Sequence, residues 1–378
     1  MKRVLMLGGS HFQVPSIVTA KKMGLYVITC DYLPENPGLQ YADEYHNVST
    51  TDLDKVLALA KSLHIDGIVA YASDPAAPTA AYVAEKLGLP GQPYDSVRIL
   101  TNKDLYRAFL KDHGFCVPRA NGYASYEAAA GEFSSYRMPV MIKPVDSSGS
   151  KGVSKICARE QLAGAVENAL SYSRCKRFLI EEYVEKYGYQ IAGDGFSVDG
   201  KLVFRCFANE HFDPQGTNPF VPIGESWPYI MPPQIHDKVH SEIQRALTAL
   251  NMRTGACNFD LRLDTEGNVH LMEIGPRNGG NLIAQVTQYA TGVDMVKYTI
   301  LAALGEDCSG IQMAPVQGFW SCYMVHAARA GVLKEVVIDP EFRKNNLVEF
   351  QMHYQPGDFV EAFSGSNGTL GTAIVKYS

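Results

Sequence analysis

In the stretch FDLRLDTEGNVHLMEIGPRNGG, residues 259–280, two runs of alternating side chains flank a T-E-G-N turn. Phe259, Leu261 and Leu263 are apolar, while Asp260, Arg262 and Asp264 are polar. That period of two sorts side chains onto opposite faces of a β-strand. Residues 269–274 run back, and a four-residue turn at 265–268 pairs 264 with 269. Counting from there, Asp260 lies opposite Glu273, the two roughly 5 Å apart at Cβ on one face. Carboxylates held that way repel each other, and a cation between them removes the conflict. Phe259, Leu261, Leu263, Met272 and Ile274 form the other face and anchor the hairpin on a core. The plain alternative is a surface hairpin with scattered charges. Arg277 follows Glu273 by four residues.

The first hundred residues alternate strand and helix. Residues 4–7 are a buried-type strand closed by Gly8, Gly9 and Ser10. Pro15 opens a helix that carries Ile17, Val18 and Met23 and stops at Gly24. Residues 26–30 form the next strand, and Thr51 with Asp54 marks a helix whose buried face is Val56, Leu57, Ala60 and Leu63. A third strand at 65–70 and a third helix at 75–87 complete the repetition. Successive βαβ units imply a parallel sheet with helices on both faces. The turn after the first strand reads G-G-S-H-F-Q, not G-x-G-x-x-G. That argues against a nicotinamide or flavin site, although Asp31 after the second strand could touch a ribose.

At 378 residues the chain is long enough for two or three domains with sizeable cores. A net charge of −6, with no block of like charges, argues against nucleic acid or a membrane surface as partner. Local Lys and Arg can still serve an anionic small substrate. The eight cysteines have no C-x-x-C and no zinc-site spacing, so reduced core cysteine in a cytoplasmic protein is expected. The apolar run in MKRVLMLGG is too short for a signal core or a membrane span and reads as a first strand.

Thr101 and Asp104 start a further helix with Leu105, Phe109 and Leu110 inward, ending at Gly114. From about 118 to 184 the pattern is a compact α+β module, with strands at 139–143, 154–157 and 178–181 and a helix at 160–171. Residues 196–198 and 202–204 flank an Asp199-Gly200 turn. Residues 207–233, rich in Pro, Gly and aromatics, have no clear period and are expected to form a long loop. His211, Asp213 and Trp227 within it are candidates for substrate specificity. Ile235, Val239, Ile243, Leu247 and Leu250 mark an amphipathic helix. Helices near 281–291 and 293–304 follow the hairpin, and 310–378 reads as mixed strands.

Two further segments carry chemistry. In VMIKPVDSSGSKGV, 140–153, Lys143 ends an apolar strand, and Ser147, Ser148, Gly149, Ser150, Lys151 and Gly152 follow. Small residues let a loop close over phosphates and point backbone N–H groups at them, although the Walker A order is missing. In FLIEEYVE, 178–185, an apolar strand runs into Glu181 and Glu182, then Tyr183 and Val184. A connector of this kind can read an adenine by backbone groups between apolar side chains.

In this order, with NKDLYRAFLKDHGFCVP at 102–118 and the N-terminal parallel-sheet region, these segments give a chain that resembles the ATP-grasp superfamily of carboxylate–amine ligases. Within it the chain is similar to the group of carbamoyl-phosphate synthetase, biotin carboxylase and the purine-pathway ligases. The resemblance implies an α/β and α+β architecture. A Rossmann-like parallel-sheet domain over 1–100 would precede a two-subdomain ATP-grasp fold over 101–309, with a small lid at 118–184 and a mixed C-terminal α+β cap over 310–378. It implies that Lys103 and Lys143 hold ATP phosphates and that Ser147, Ser148, Gly149, Ser150 and Gly152 belong to a flexible lid. Glu181, Glu182, Tyr183 and Val184 would bracket the adenine, chiefly through backbone groups. Asp260 and Glu273 would bind one or two Mg²⁺ ions, with Mn²⁺ a substitute. Arg277, together with Lys143, would stabilise the transferred phosphoryl group or the substrate carboxylate, and Arg262 is a weaker candidate.

Two positions depart from the family's pattern. Asn usually stands two residues after the second metal glutamate; here it is Gly275, so a water, Asn278 or Asn281 would fill in. A glutamate that touches the ribose often follows the hinge; in YGYQIAGDGFS, 187–197, Gln190 or Asp194 would substitute.

By resemblance the reaction is ADP-forming. A substrate carboxylate attacks the γ-phosphate of ATP, and an amine or similar nucleophile attacks the acyl phosphate. Such chemistry needs charge neutralisation and positioning more than acid–base work, which suits Lys, Arg and Mg²⁺ without an obvious catalytic histidine. Small-molecule carboxylate and amine substrates, a cytoplasmic enzyme and a homodimer are the accompanying expectations. The substrate would lie between the N-terminal domain and the central core, with Gly8 to His11 at one wall. A non-catalytic or regulatory ATP-binding protein is the alternative, motivated by Gly275.

Overall fold

Short strands of three to five residues build the N-terminal layer of this computed structural model, which describes residues 1–377. In chain order come β1 (Arg3–Leu7), α1 (Val14–Lys22), β2 (Tyr26–Cys30), β3 (Glu44–His46), α2 (Leu53–Leu63), β4 (Gly67–Val69) and α3 (Ala77–Leu87). The four strands are parallel, in the order β3-β2-β1-β4, as the βαβ repetition implies. β3, only Glu-Tyr-His, has no periodicity to announce it. The N-cap of α2 is Asp52, not Thr51: its carboxylate accepts from the Lys55 amide at 3.1 Å. Asp31 is taken up within the fold, accepting from the Gly9 amide at 2.9 Å and the Asn36 side chain at 2.7 Å.

α4 (Tyr94–Leu100) and α5 (Lys103–Asp112) lead into a smaller unit. It comprises β5 (Ala120–Tyr123), α6 (Tyr126–Glu132), β6 (Val140–Pro144), β7 (Ser154–Ile156), α7 (Leu162–Tyr172) and β8 (Phe178–Glu182). Its antiparallel sheet runs β5-β8-β6-β7. Val140, Ile142, Phe178 and Ile180 project from that sheet onto Leu162 and Val166 of α7.

The rest of the chain is organised by one long antiparallel sheet. β9 (Gln190–Val198), β10 (Lys201–Phe212), β11 (Pro222–Trp227), α8 (Pro233–Ala249), β12 (Gly255–Leu263), β13 (Val269–Gly275), α9 (Ile283–Thr291) and α10 (Met295–Ala303) come first. β14 (Phe319–Val325), β15 (Gly331–Val332), α11 (Pro340–Asn345), β16 (Leu347–Met352), β17 (Phe359–Val360) and β18 (Gly371–Tyr377) follow. Eight of the strands pair in the order β13-β12-β9-β10-β11-β14-β18-β16. The C-terminal strands therefore continue the sheet that carries the acidic hairpin.

Nearly half of the expected loop at 207–233 is strand: 207–212 extends β10 and 222–227 is β11. Alternation fails to signal them because Asn209, Glu210 and Glu225 are polar yet buried. Trp227, expected in a specificity loop, is 2% exposed and belongs to the core.

The two sheet faces have different duties. Phe207, Phe259, Leu261, Leu263 and Ile274 pack against Val239, Ile243 and Leu247 of α8. Each such side chain contributes about 1.5–3 kcal/mol when fully buried. On the other face Cys206, Ala208, Cys322 and Ile374 meet α9, α10 and the N-terminal layer. Asp260 and Arg262, alternating with Leu261, point to this second face, where the packing opens into a cleft.

Candidate active site

β12 and β13 bring Asp260 and Glu273 directly opposite each other. The register differs from the expected one. Leu263, not Asp264, pairs with Val269, and Met272 is skipped as Leu261 pairs with Leu271 and Asp260 with Glu273. This bulge offsets the extra turn residue and restores the acidic pair. Asp264 pins the turn, accepting from the Asn268 amide at 2.8 Å and lying 2.9 Å from His270 Nε2.

Asp260 Oδ1 is buried without a hydrogen-bond partner among the described residues. Burial pushes its carboxyl up to about 6, against the pull of Arg262 and with repulsion from Glu273. An unpartnered acceptor facing a second carboxylate fits a hard divalent cation with oxygen ligands, as Mg²⁺ requires.

The same cleft, of about 100 Å³, is lined by Lys103, Lys143, Ser147, Ser148, Gly149, Ser150, Lys151, Gln190, Phe212, Phe220, Asp260, Arg262 and Glu273. Lys103 opens α5; its Nζ donates to the Ser147 carbonyl at 2.7 Å and lies 3.4 Å from Glu273. The loop after β6 is drawn down over the cleft. Ser150 Oγ donates to the Phe220 carbonyl at 2.7 Å, and Asn218 donates to the carbonyls of Ser150 at 3.2 Å and Ser364 at 2.9 Å. Gly149 has φ +67°, and a Cβ there would stand 2.1 Å from Ser366 Oγ, so this position has no room for a side chain. Gly152 ends the loop with φ +71°.

Glu181 spends its side chain on two cations. It is 1% exposed, accepts from Arg107 Nε at 2.8 Å and pairs with Lys143. Burial alone would raise its carboxyl, but the charges of Arg107 and Lys143 hold it at about 2. Burial draws Lys143 below the ordinary lysine range, while Glu181 pulls the other way. The Glu182 amide donates to the Arg119 carbonyl at 2.9 Å and the Tyr183 amide to Pro139 at 3.0 Å. The Val184 carbonyl accepts from Arg262 Nη1 at 3.2 Å. Arg262 Nε also donates to Gln190 at 2.7 Å, and its guanidinium lies 5.3 Å from the Tyr183 ring.

Arg277 is tied to the N-terminal layer. Nε donates to Asp74 Oδ1 at 2.8 Å, Nη2 donates to the other Asp74 oxygen, and Nη1 donates to Asn258 Oδ1 at 2.8 Å and to the Asn278 carbonyl at 3.1 Å. Asp194 and Asn278, expected as stand-ins at the ribose and the metal, face inward. Both are 0% exposed. Asp194 accepts from the Gly279 amide at 2.8 Å and Asn258 at 2.9 Å, and burial raises it to about 6 despite them. Asn278 accepts from Thr299 at 2.7 Å. His11 stacks on His353 with centroids 3.8 Å apart. His211 lies 2.8 Å from Ser226 Oγ and alternates with Glu210, hence on the opposite face from the cleft. Asp213 accepts from the Gln215 amide at 2.9 Å.

Sequence reasoning did not find Asp74, Arg107, Glu210 or Glu225. Arg107 had a signal: it shares the buried face of α5 with Tyr106 and Leu110. A guanidinium inside an apolar stripe needs an acid nearby.

Residues 136–286 match the ATP-grasp domain family. The chain is 28% identical over 279 residues to an uncharacterised protein of Sinorhizobium fredii, covering 70% of this chain and 55% of that one. It is 26% identical over 219 residues to the N-terminal section of the carbamoyl phosphate synthase large chain of Methanopyrus kandleri, covering 57% of this chain and 38% of that one. The chain thus spans about half, or less, of the length of these curated relatives. The crystal structure of an L-amino acid ligase from Bacillus licheniformis superposes on 100% of this chain and 94% of its own, with a TM-score of 0.83 at 20% identity. Residues 136–286 thus carry an ATP-grasp domain, within a fold that is similar along the whole chain to that of the L-amino acid ligase.

Proposed function

We propose that the chain is an ATP-dependent, ADP-forming ligase that activates a substrate carboxylate as an acyl phosphate for attack by an amine or similar nucleophile. One observation carries most of the weight: Asp260 and Glu273 oppose each other, with an unpartnered buried oxygen, in the cleft under the glycine-serine loop. These two residues would hold Mg²⁺, which when bound supplies charge neutralisation at the transferring phosphoryl group.

The protein's own residues supply the remaining functions. Lys103 and Lys143 bring positive charge to the cleft, and the Glu181 contact fixes where Lys143 points. The 147–152 loop, bonded to Phe220 and Asn218, would keep water from an activated acyl group. Arg277 spends four of its five N–H donors on Asp74, Asn258 and the Asn278 carbonyl. It therefore acts chiefly by fixing the glycine loop at 279–280, with one N–H left for a substrate carboxylate.

A screen for phosphate release with Mg-ATP over amino acids, sugar acids and bicarbonate tests this reading. Release that depends on one class of carboxylate is expected. Tight Mg-ATP binding without ADP formation on any carboxylate would favour the non-catalytic alternative, which Gly275 motivates.

A further inference from the structure

Glu210 and Glu225 are paired across β10 and β11. They continue a row of side chains that begins at Arg262, which donates to Gln190 at 2.7 Å; Gln190 donates to Glu210 at 2.6 Å. With strands about 4.8 Å apart, Glu225 stands roughly 14 Å along the sheet from Arg262. The row lies on the face that carries Asp260, beyond the acidic pair and the lid.

Both carboxylates are buried, at 8% and 3% exposure. Gln190 satisfies one oxygen of Glu210. Glu225 makes no side-chain hydrogen bond and no ion pair among the described residues, and its Oε2 is enclosed. Its neighbour on β14 is Cys322, whose thiol donates to the Asn281 carbonyl at 2.6 Å. The Asn281 side-chain oxygen is also enclosed and unpartnered. Glu210 and Glu225 thus leave carboxylate oxygens without donors side by side on this face of the sheet.

A buried acceptor left unpaired costs about 1–3 kcal/mol, and more when charged. The site therefore calls for a cation rich in N–H donors. We propose, resting on the ligase reading above, that Glu225 with Glu210 receives the ammonium group of the nucleophilic substrate, which is accordingly a primary amine. An ammonium carries three donors. Two of them match Glu225 Oε2 and the Glu210 oxygen that Gln190 leaves free. The adjoining Ala208, Trp227 and Cys322 are buried and suit the carbon substituent of an organic cation better than a hydrated metal ion. Burial, with Asp194 and Asp260 nearby, pushes Glu225 up to about 8, so the empty site holds a neutral acid that ionises when positive charge arrives. Before attack the ammonium gives one proton to Glu225, which frees the nitrogen lone pair. The C–N bond forms as the acyl C–O bond to phosphate breaks, and phosphate leaves with that electron pair and the nitrogen's surplus proton.

The test uses whichever carboxylate supports ADP release. kcat/KM is measured for methylamine and glycinamide, both protonated nucleophiles, and for hydroxylamine, which is uncharged at neutral pH. Wild type, Glu225→Gln and Glu210→Gln are compared. The amine-to-hydroxylamine ratio is expected to fall about tenfold or more in Glu225→Gln, the scale of a lost charged hydrogen bond. A ratio unchanged in both variants overturns the subsite and leaves the ligase reading standing. So does a wild type that consumes hydroxylamine but neither amine. No ADP release with any carboxylate and any nucleophile overturns both.

Discussion

Gly275 lies against the guanidinium of Arg277: a Cβ at 275 would stand 3.0 Å from Arg277 Cζ and 3.1 Å from Asp74 Oδ1. The glycine that stands where the resemblance implies an Asn is thus coupled to an ion pair that joins the N-terminal layer to the acidic hairpin. Restoring the asparagine by Gly275→Asn should crowd that pair. We expect a loss of about 1–3 kcal/mol in urea denaturation, the usual cost of overpacking, and no gain in Mg-ATP affinity by calorimetry.

The pair itself should be strongly coupled. The Arg277 and Asp74 side chains are 11% and 16% exposed, so removing one leaves the other's charge largely out of water. Breaking a buried pair costs about 3–5 kcal/mol. We expect somewhat less here for Asp74→Asn or Arg277→Gln. A double-mutant cycle should give a coupling of at least about 1 kcal/mol; additive losses would argue that the two residues stabilise separately.

Glu181 should matter to stability as much as to nucleotide binding. Its carboxyl is held at about 2, below the ordinary glutamate value of 4.5. The folded state therefore binds the proton less readily than the unfolded chain. The contribution is present above the ordinary glutamate range and is lost as pH falls toward 2. Glu181→Gln should remove that acid-side dependence and weaken ATP binding through Lys143, read by denaturation against pH and by titration with ATP.

Glu225 has the opposite sign. Its folded value of about 8 lies above the ordinary glutamate value of 4.5. The folded state keeps a proton that the unfolded chain gives up, so the contribution is present below the ordinary range and is lost as pH rises to about 8. Glu225→Gln should flatten the fall in stability between mildly acidic pH and pH about 8, by a few kcal/mol at most. An unchanged slope would place Glu225 in a more hydrated setting than its 3% exposure indicates.

Local periodicity made the parallel layer and the acidic hairpin legible, because in both each side chain's polarity matches the face it occupies. It predicted the Asp260–Glu273 opposition but not the bulge at Met272 that produces it. β10 and β11 were obscured by their buried acids, since Glu210 and Glu225 break the apolar pattern. Glu181 resembles an exposed acid at a strand end until α5 brings Arg107 against it. The Arg277–Asp74 pair joins positions 203 residues apart, and no local pattern announces such a contact.

The central claim is that Asp260 and Glu273 act together on a cation beneath a bound nucleotide. ADP release from Mg-ATP by Glu273→Gln, measured beside wild type with circular dichroism verifying the fold, tests it most directly. Release should fall to background while the fold is retained; full activity in the folded variant would contradict the account.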